Sequence, residues 1–349
     1  EDKYVQRYLD SLLREIRLWG QSSPEQEIST IYIGGGTPSL LRSRDLARIF
    51  DALGQNFRFS EKMEITLEAN PDSISRQYLK SLLGLGINRL SLGVQSLDDK
   101  DLYILKRRHG REDALQACSE VRDAGFENLN ADLIWGLPEQ GVQKWLEQLN
   151  LVIQHGVTHI SCYNLTLEPG TLLEEKVQNQ EIVLPEEDEQ GKMFVYGAQY
   201  LEEQAFLQYE ISNFSKMGYI CRHNLGYWEG RDYIGMGPSA ASTIKGLRVV
   251  QPQELLEYEY RIARDGIWEG AEQMDFGQKI SEFIMLRLRT VKGMNLREYK
   301  RLTGKDFCRE NASILQALRK NDLIRLRKGY VSLTKSGMLV SDSILSHLI

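Results

Sequence analysis

The sequence predicts an α/β fold: an incomplete β/α barrel followed by a small α+β domain of winged-helix texture. Three observations carry this expectation. Strand-like and helix-like segments alternate from the first residues to about position 165, which within one sheet means right-handed βαβ units and parallel strands. Each of five strands then delivers a polar or bare-backbone group at its end: glycines 34–36 with Thr37, then Glu68, Gln95, Asp132 and Thr166. Such convergence on one edge points to a barrel mouth rather than an open doubly wound sheet. Beyond about 250 the texture turns helical and closes with helix, short strand, a Lys328-Gly329 turn and short strand. The expected domains are 1–245, the partial barrel with an extension, and 246–349.

Residues 2–19 place Tyr4-Val5, Tyr8-Leu9, Leu12-Leu13, Ile16 and Trp19 at helical spacing, an amphipathic helix. The stretch IYIGGGTPSL at 31–40 follows as the end of a buried strand and a glycine run. Glycines at a strand's C-terminal end leave main-chain groups open to a ligand. A helix from 43 to 50, a strand over 63–70 and a helix over 75–84 come next. They are followed by a strand over 89–94, helices over 98–106 and 111–124, a strand over 129–134, a helix over 143–155 and a strand over 159–165. The acidic segment 186–203 carries Met193, Phe194, Tyr196, Tyr200 and Leu201 at helical spacing and reads as a surface-covering helix. One further strand is expected over 208–214. The stretch 221–242, CRHNLGYWEGRDYIGMGPSAAS, shows no helical period and reads as a functional loop.

Hydrophobic residues at 42% and charged residues at 26% exclude a disordered chain, and a net charge of −6 excludes a generally basic nucleic-acid binder. The basic run Arg319, Lys320, Arg325, Arg327 and Lys328 is therefore read as the surface of a packing module, with no nucleic-acid partner. No apolar run approaches the roughly 18 residues of a membrane span, and EDKYVQRYLD has no signal-peptide character; a cytoplasmic protein without an integral membrane segment is expected. Cys118, Cys162, Cys221 and Cys308 stand apart, without CxxC spacing, as reduced thiols would.

With GGGTPS at 34–39, LEANPD at 67–72, LSLGVQS at 90–96, DLIWGLP at 132–138, YNLTLEPGT at 163–171 and QYEISNFS at 208–215, the chain resembles a known family. It is that of the radical S-adenosylmethionine (SAM) proteins of the oxygen-independent coproporphyrinogen III oxidase superfamily. The stretch His223-Asn224-Leu-Gly-Tyr227-Trp228 is similar to the HNxxYW motif of the HemW haem chaperone branch. The resemblance implies an open (β/α)6 radical SAM barrel with SAM across its mouth. On it, Gly35, Gly36 and Thr37 meet the methionine ammonium with Glu68 beside it, Gln95 and Arg107 take the ribose and carboxylate, Asp132 takes a ribose hydroxyl, and Thr166 and Ala241 enclose the adenine. His223 is implied as an axial haem ligand, with Tyr227 and Trp228 against the porphyrin.

The family's first strand and its CxxxCxxC loop, which bind a [4Fe–4S] cluster, belong just ahead of the opening helix. The cluster cysteines are therefore expected upstream of Glu1, and the chain is read as missing both strand and loop. No metal ligands are assigned within it, and no radical formation is expected of it as it stands. The branch often shows GxGAHS where this chain has GMGPSAAS at 235–242, so Ala241 replaces a histidine. The implied function is a SAM-binding, cluster-dependent haem chaperone that serves a haem-accepting protein. The alternative is coproporphyrinogen III oxidase in porphyrin biosynthesis, a SAM-dependent oxidative decarboxylation, against which the HNxxYW stretch stands.

Overall fold

The computed structural model describes residues 2–22 and 27–349. Glu1 and residues 23–26 lie outside the described residues. The centre of the molecule is a seven-stranded sheet curled into a half-barrel, in the order β1-β2-β3-β4-β5-β7-β6. The strands are β1 (Glu27–Ile33), β2 (Arg58–Ala69), β3 (Arg89–Gln95), β4 (Asn128–Trp135), β5 (His159–Asn164), β6 (Leu207–Gln208) and β7 (Asn213–Ser215). β1 to β5 run parallel, as the strand–helix alternation predicts. The single strand expected over 208–214 is instead a hairpin, with β7 antiparallel to both β5 and β6. The Glu210 carboxylate accepts from Ser212 N and from the Asn213 side chain, holding the chain in a turn where apolar alternation alone suggests continuity.

One face of the half-barrel is apolar and covered by helices. Leu90, Leu92, Leu129 and Leu133 have no exposed surface, and burying each stabilises the fold by roughly 1.5–3 kcal/mol. Against them pack Leu46 and Ile49 of α2 (Ser43–Asn56), Leu79 and Leu82 of α3 (Arg76–Gly84), and, beyond the short α4 (Asp99–Ile104), Cys118 and Val121 of α5 (Arg111–Ala124) and Trp145 and Leu149 of α6 (Val142–Gln154). The opening helix α1 (Asp2–Ser22) adds Leu9, Leu12, Ile16 and Trp19, the 3-4-3 spacing of a buried stripe. After α7 (Leu172–Gln178), the acidic helix α8 (Glu187–Glu203) buries Met193, Ala198 and Leu201 and leaves its charges outside.

The expected loop over 221–242 contains a helix, α9 (Arg222–Trp228). A three-stranded antiparallel sheet of β8 (Ala241–Ile244), β9 (Leu247–Val250) and β10 (Glu272–Gln273) follows, with α10 (Leu255–Ala263) between its strands. The expected division at 245/246 lies in the β8–β9 turn. Ile244, Val249, Tyr258, Ile262 and Ile267 join the barrel core, while a separate core runs from Ile284 of α11 (Phe276–Leu288) to Leu348. In that second unit β11 (Met294–Asn295), β12 (Ile324–Arg327) and β13 (Tyr330–Leu333) form the wing. Its two-residue turn puts Lys328 at φ 51° and Gly329 at φ 80°, the left-handed pair that suits a hairpin's twist. Among the described residues no helix is long and apolar enough to cross a membrane.

Candidate functional site in the half-barrel

The other face of the sheet is polar through its centre, and the cause is an alternation. Tyr32 on β1, Arg89 and Ser91 on β3, Asn130 and Asp132 on β4, and His159, Ser161 and Tyr163 on β5 occupy every second position, opposite the apolar set. Together with residues of α9 they line a cavity of about 250 Å³. Asn130 binds the layers together. Its amide donates to Asp132 at 2.9 Å and its oxygen takes the His159 Nδ1 proton at 2.6 Å, so His159 Nε2 accepts from Tyr209 Oη at 2.9 Å. Burial holds His159 neutral, well below the usual imidazole range, and the Arg89 charge adds to the effect.

At the strand ends, Glu68 accepts from Tyr32 Oη at 2.7 Å and from the Gly35 backbone N–H at 3.2 Å. Burial raises the Glu68 carboxyl, and the Tyr32 hydrogen bond opposes that shift. Gly35 sits at φ +86°, and a Cβ added at Gly35 or Gly36 would meet nothing within 4 Å. The backbone here is bare and open. Thr37 is half-buried and begins the next turn. Asp132 accepts from Ser91 Oγ and Asn130 Nδ2, each at 2.9 Å, and burial pushes its carboxyl up.

The motif helix meets the same cavity. His223 Nδ1 is 2.8 Å from Thr30 Oγ1, its Nε2 is 2.9 Å from Tyr227 Oη, and its ring stacks on Tyr32 at 5.2 Å between centroids. Burial lowers the His223 pKa, so the ring is neutral. Asn224 donates to Tyr209 Oη at 3.2 Å. Helix α9 is positioned by Glu64 of β2, whose carboxylate accepts from the backbone N–H groups of Arg222 and His223, both at 2.9 Å.

The expected site residues are thus only partly brought together. Asp132, His223 and Tyr227 line the one cavity, with Glu68 and Gly35 joined to it through Tyr32. Trp228 does not line it; its carbonyl accepts from Arg287 at 3.4 Å. Gln95 closes β3 in the left-handed region at φ 67°, its amide lying over Gly93, where a Cβ would come within 2.9 Å. A non-glycine residue held there stores strain, a frequent mark of a ligand site. Arg107 and Thr166 are exposed and outside the cavity, and Ala241 begins the second sheet, its backbone so close to Gly235 that a Cβ there would meet Ala241 O at 2.1 Å. Tyr32, Arg89, Asn130 and His159 escape a reading of strand ends alone; their period-two spacing is the available signal.

Among the described residues no group of three or more His, Cys, Asp or Glu side chains is arranged to hold a metal ion. Cys118, Cys162 and Cys221 are buried on separate elements and burial pushes all three thiols up, so they do not fit a [4Fe–4S] cluster.

A family model described as the Radical SAM superfamily matches residues 1–152, and one described as the HemN C-terminal domain matches 278–340. The chain is similar to the "Heme chaperone HemW" of Bacillus subtilis (strain 168), 31% identical over 342 residues that cover 97% of this chain and 90% of that relative. With the "Heme chaperone HemW" of Synechocystis sp. the identity is 35% over 297 residues, 84% of this chain and 71% of the relative. Among solved structures, coproporphyrinogen III oxidase (HemN) from Escherichia coli has the same fold, with a TM-score of 0.82 at 23% identity over 99% of this chain and 83% of that one.

Proposed function

The chain belongs to the HemW heme chaperone family of the radical SAM superfamily, and from that premise we propose that it binds haem and passes it to an acceptor protein, with SAM held at the glycine end of β1. The observation that carries the haem reading is the placement of His223: a neutral imidazole on a helix pinned by Glu64, facing the polar cavity. A neutral ring is what iron ligation needs. Tyr227 Oη is hydrogen-bonded to Nε2, so ligation through that nitrogen would exchange this bond for the iron.

Haemin titration followed by the Soret band tests this. His223→Ala is expected to lose the shifted band of the wild-type complex; an unchanged spectrum would remove His223 from the role. Tyr227→Phe keeps the ring and frees Nε2. It is expected to tighten haemin binding several-fold, since a net hydrogen bond of about 0.5–1.5 kcal/mol no longer competes.

For SAM, the open backbone at Gly35 and Gly36 and the neighbouring Glu68 carboxylate suit the methionine ammonium, and the Asp132 carboxylate suits a ribose hydroxyl. When bound, SAM supplies a sulfonium whose carbon–sulfur bond can be cleaved reductively. Gly35→Val forces a β-branched residue into φ +86° on an exposed turn. A loss of tenfold or more in SAM affinity by calorimetry is expected, with stability lowered by only about 1–3 kcal/mol. Wild-type affinity in this variant would place SAM elsewhere.

A further inference from the structure

Among the described residues, one buried charge in the half-barrel has no hydrogen-bonded or ion-paired partner, although nearby acidic groups favour its charged form. Arg89 opens β3, is 2% exposed and lines the cavity, yet its guanidinium makes no hydrogen bond and no ion pair among the described residues; its Nε is buried and unsatisfied. The carboxylates near it, Glu64, Glu68 and Asp132, offset its charge through space but give their hydrogen bonds to other donors. Glu64 accepts from Arg222 N and His223 N, Glu68 from Tyr32 and Gly35 N, and Asp132 from Ser91 and Asn130. The layer containing Arg89 also differs from the one above it. Thr66 and Asn128, level with Arg89 on the flanking strands, each carry a side-chain oxygen without a partner, whereas Ser91, Asn130 and His159 in the next layer are all bonded.

A buried guanidinium is costly unless its forked donors meet an anion, and a carboxylate matches that fork with two parallel hydrogen bonds. The cavity, at about 250 Å³, is smaller than the ~300–1,000 Å³ of sites that enclose a drug-sized ligand. It therefore admits an arm of a larger molecule. We propose that Arg89 is an anchor for a carboxylate carried into the cavity on such an arm, and, resting on the haem reading above, that the carboxylate is a propionate of haem.

The test compares haemin with haemin dimethyl ester, which keeps the macrocycle and iron and masks both acids, on the purified full chain by Soret titration. Wild type is expected to bind the diacid at least tenfold more tightly than the diester. Arg89→Gln is expected to erase that preference by weakening the diacid alone, and Arg89→Lys to retain part of it. Should Arg89→Gln fail to fold by circular dichroism, the lysine variant is read instead, and a full wild-type preference in it overturns the forked contact. Equal binding of diacid and diester by wild type, or an intact preference in Arg89→Gln, would mean that the guanidinium only balances the surrounding carboxylates; the proposal then fails while haem binding stands. No Soret shift with either ligand would overturn both readings. SAM offers a second source of a carboxylate. Because Arg89 neighbours Glu68 and Asp132, SAM affinity is expected to change far less in Arg89→Gln than diacid affinity; a SAM loss as large as the diacid loss would reassign the anchored acid to SAM and overturn the propionate assignment.

Discussion

Glu15→Ala is expected to destabilise the barrel unit by about 3–5 kcal/mol, because it orphans several buried donors at once. Glu15 has no exposed surface. Its carboxylate accepts from the Gly237 N–H at 2.8 Å, from Tyr258 Oη at 2.7 Å and from Trp19 Nε1 at 3.4 Å, so one side chain of α1 ties down the glycine-rich loop and α10. Burial raises its pKa against the pull of these donors, the signature of a carboxyl held where charge is disfavoured. Glu15→Gln can keep its oxygen on Gly237 N and Tyr258 Oη but then turns its NH2 against the Trp19 Nε1–H donor, and is expected to cost roughly 1–2 kcal/mol. Urea denaturation of the three proteins gives the order directly; an alanine variant within about 1 kcal/mol of wild type would show that water replaces the carboxylate at little cost.

The second large effect is a dependence on pH. Glu210 is 1% exposed, and burial pushes its carboxyl up to about 7, against donors from Asn213, Ser212 and Asn224. The folded-state value lies above that of the unfolded chain, so the native state binds the extra proton between the two. Its contribution to stability is present below the unfolded value and is lost as pH rises through about 7. The loss between about pH 5 and pH 8 is on the order of 2–3 kcal/mol. Glu210→Gln removes the titration. Subtracting its unfolding free energies from those of wild type cancels the opposite trend of the lowered His159 and His223 and isolates Glu210. A flat difference across that range would refute the shift.

The parallel half of the sheet is legible in the sequence because every strand from β1 to β5 is followed by a helical period, and the wing is legible because Lys328-Gly329 punctuates two short strands. Other features are not legible, for physical reasons. The residues of α9, RHNLGYW, are mostly indifferent or poor helix formers, and the carboxylate that organises their N-terminus comes from Glu64 on β2. The β6–β7 turn depends on Glu210 folding back on Asn213, a contact that propensity does not encode. Of the site, Glu68, Asp132 and His223 announce themselves by motif. Arg89 does not: an arginine at the first position of a strand reads as a solvent-facing charge, and only its phase with Ser91, opposite Leu90 and Leu92, puts it inside.

The dependence of α9 on Glu64 reaches beyond geometry. Seven residues are far below the ~12–15 that an isolated helix needs in water. Cut out as a peptide, or grafted into another loop, HNxxYW would lose the conformation that aligns its histidine with its tyrosine. The motif is therefore not portable: its letters specify a shape only when a strand some 158 positions earlier in the chain is already in place, and its chemistry is inherited from the assembled sheet.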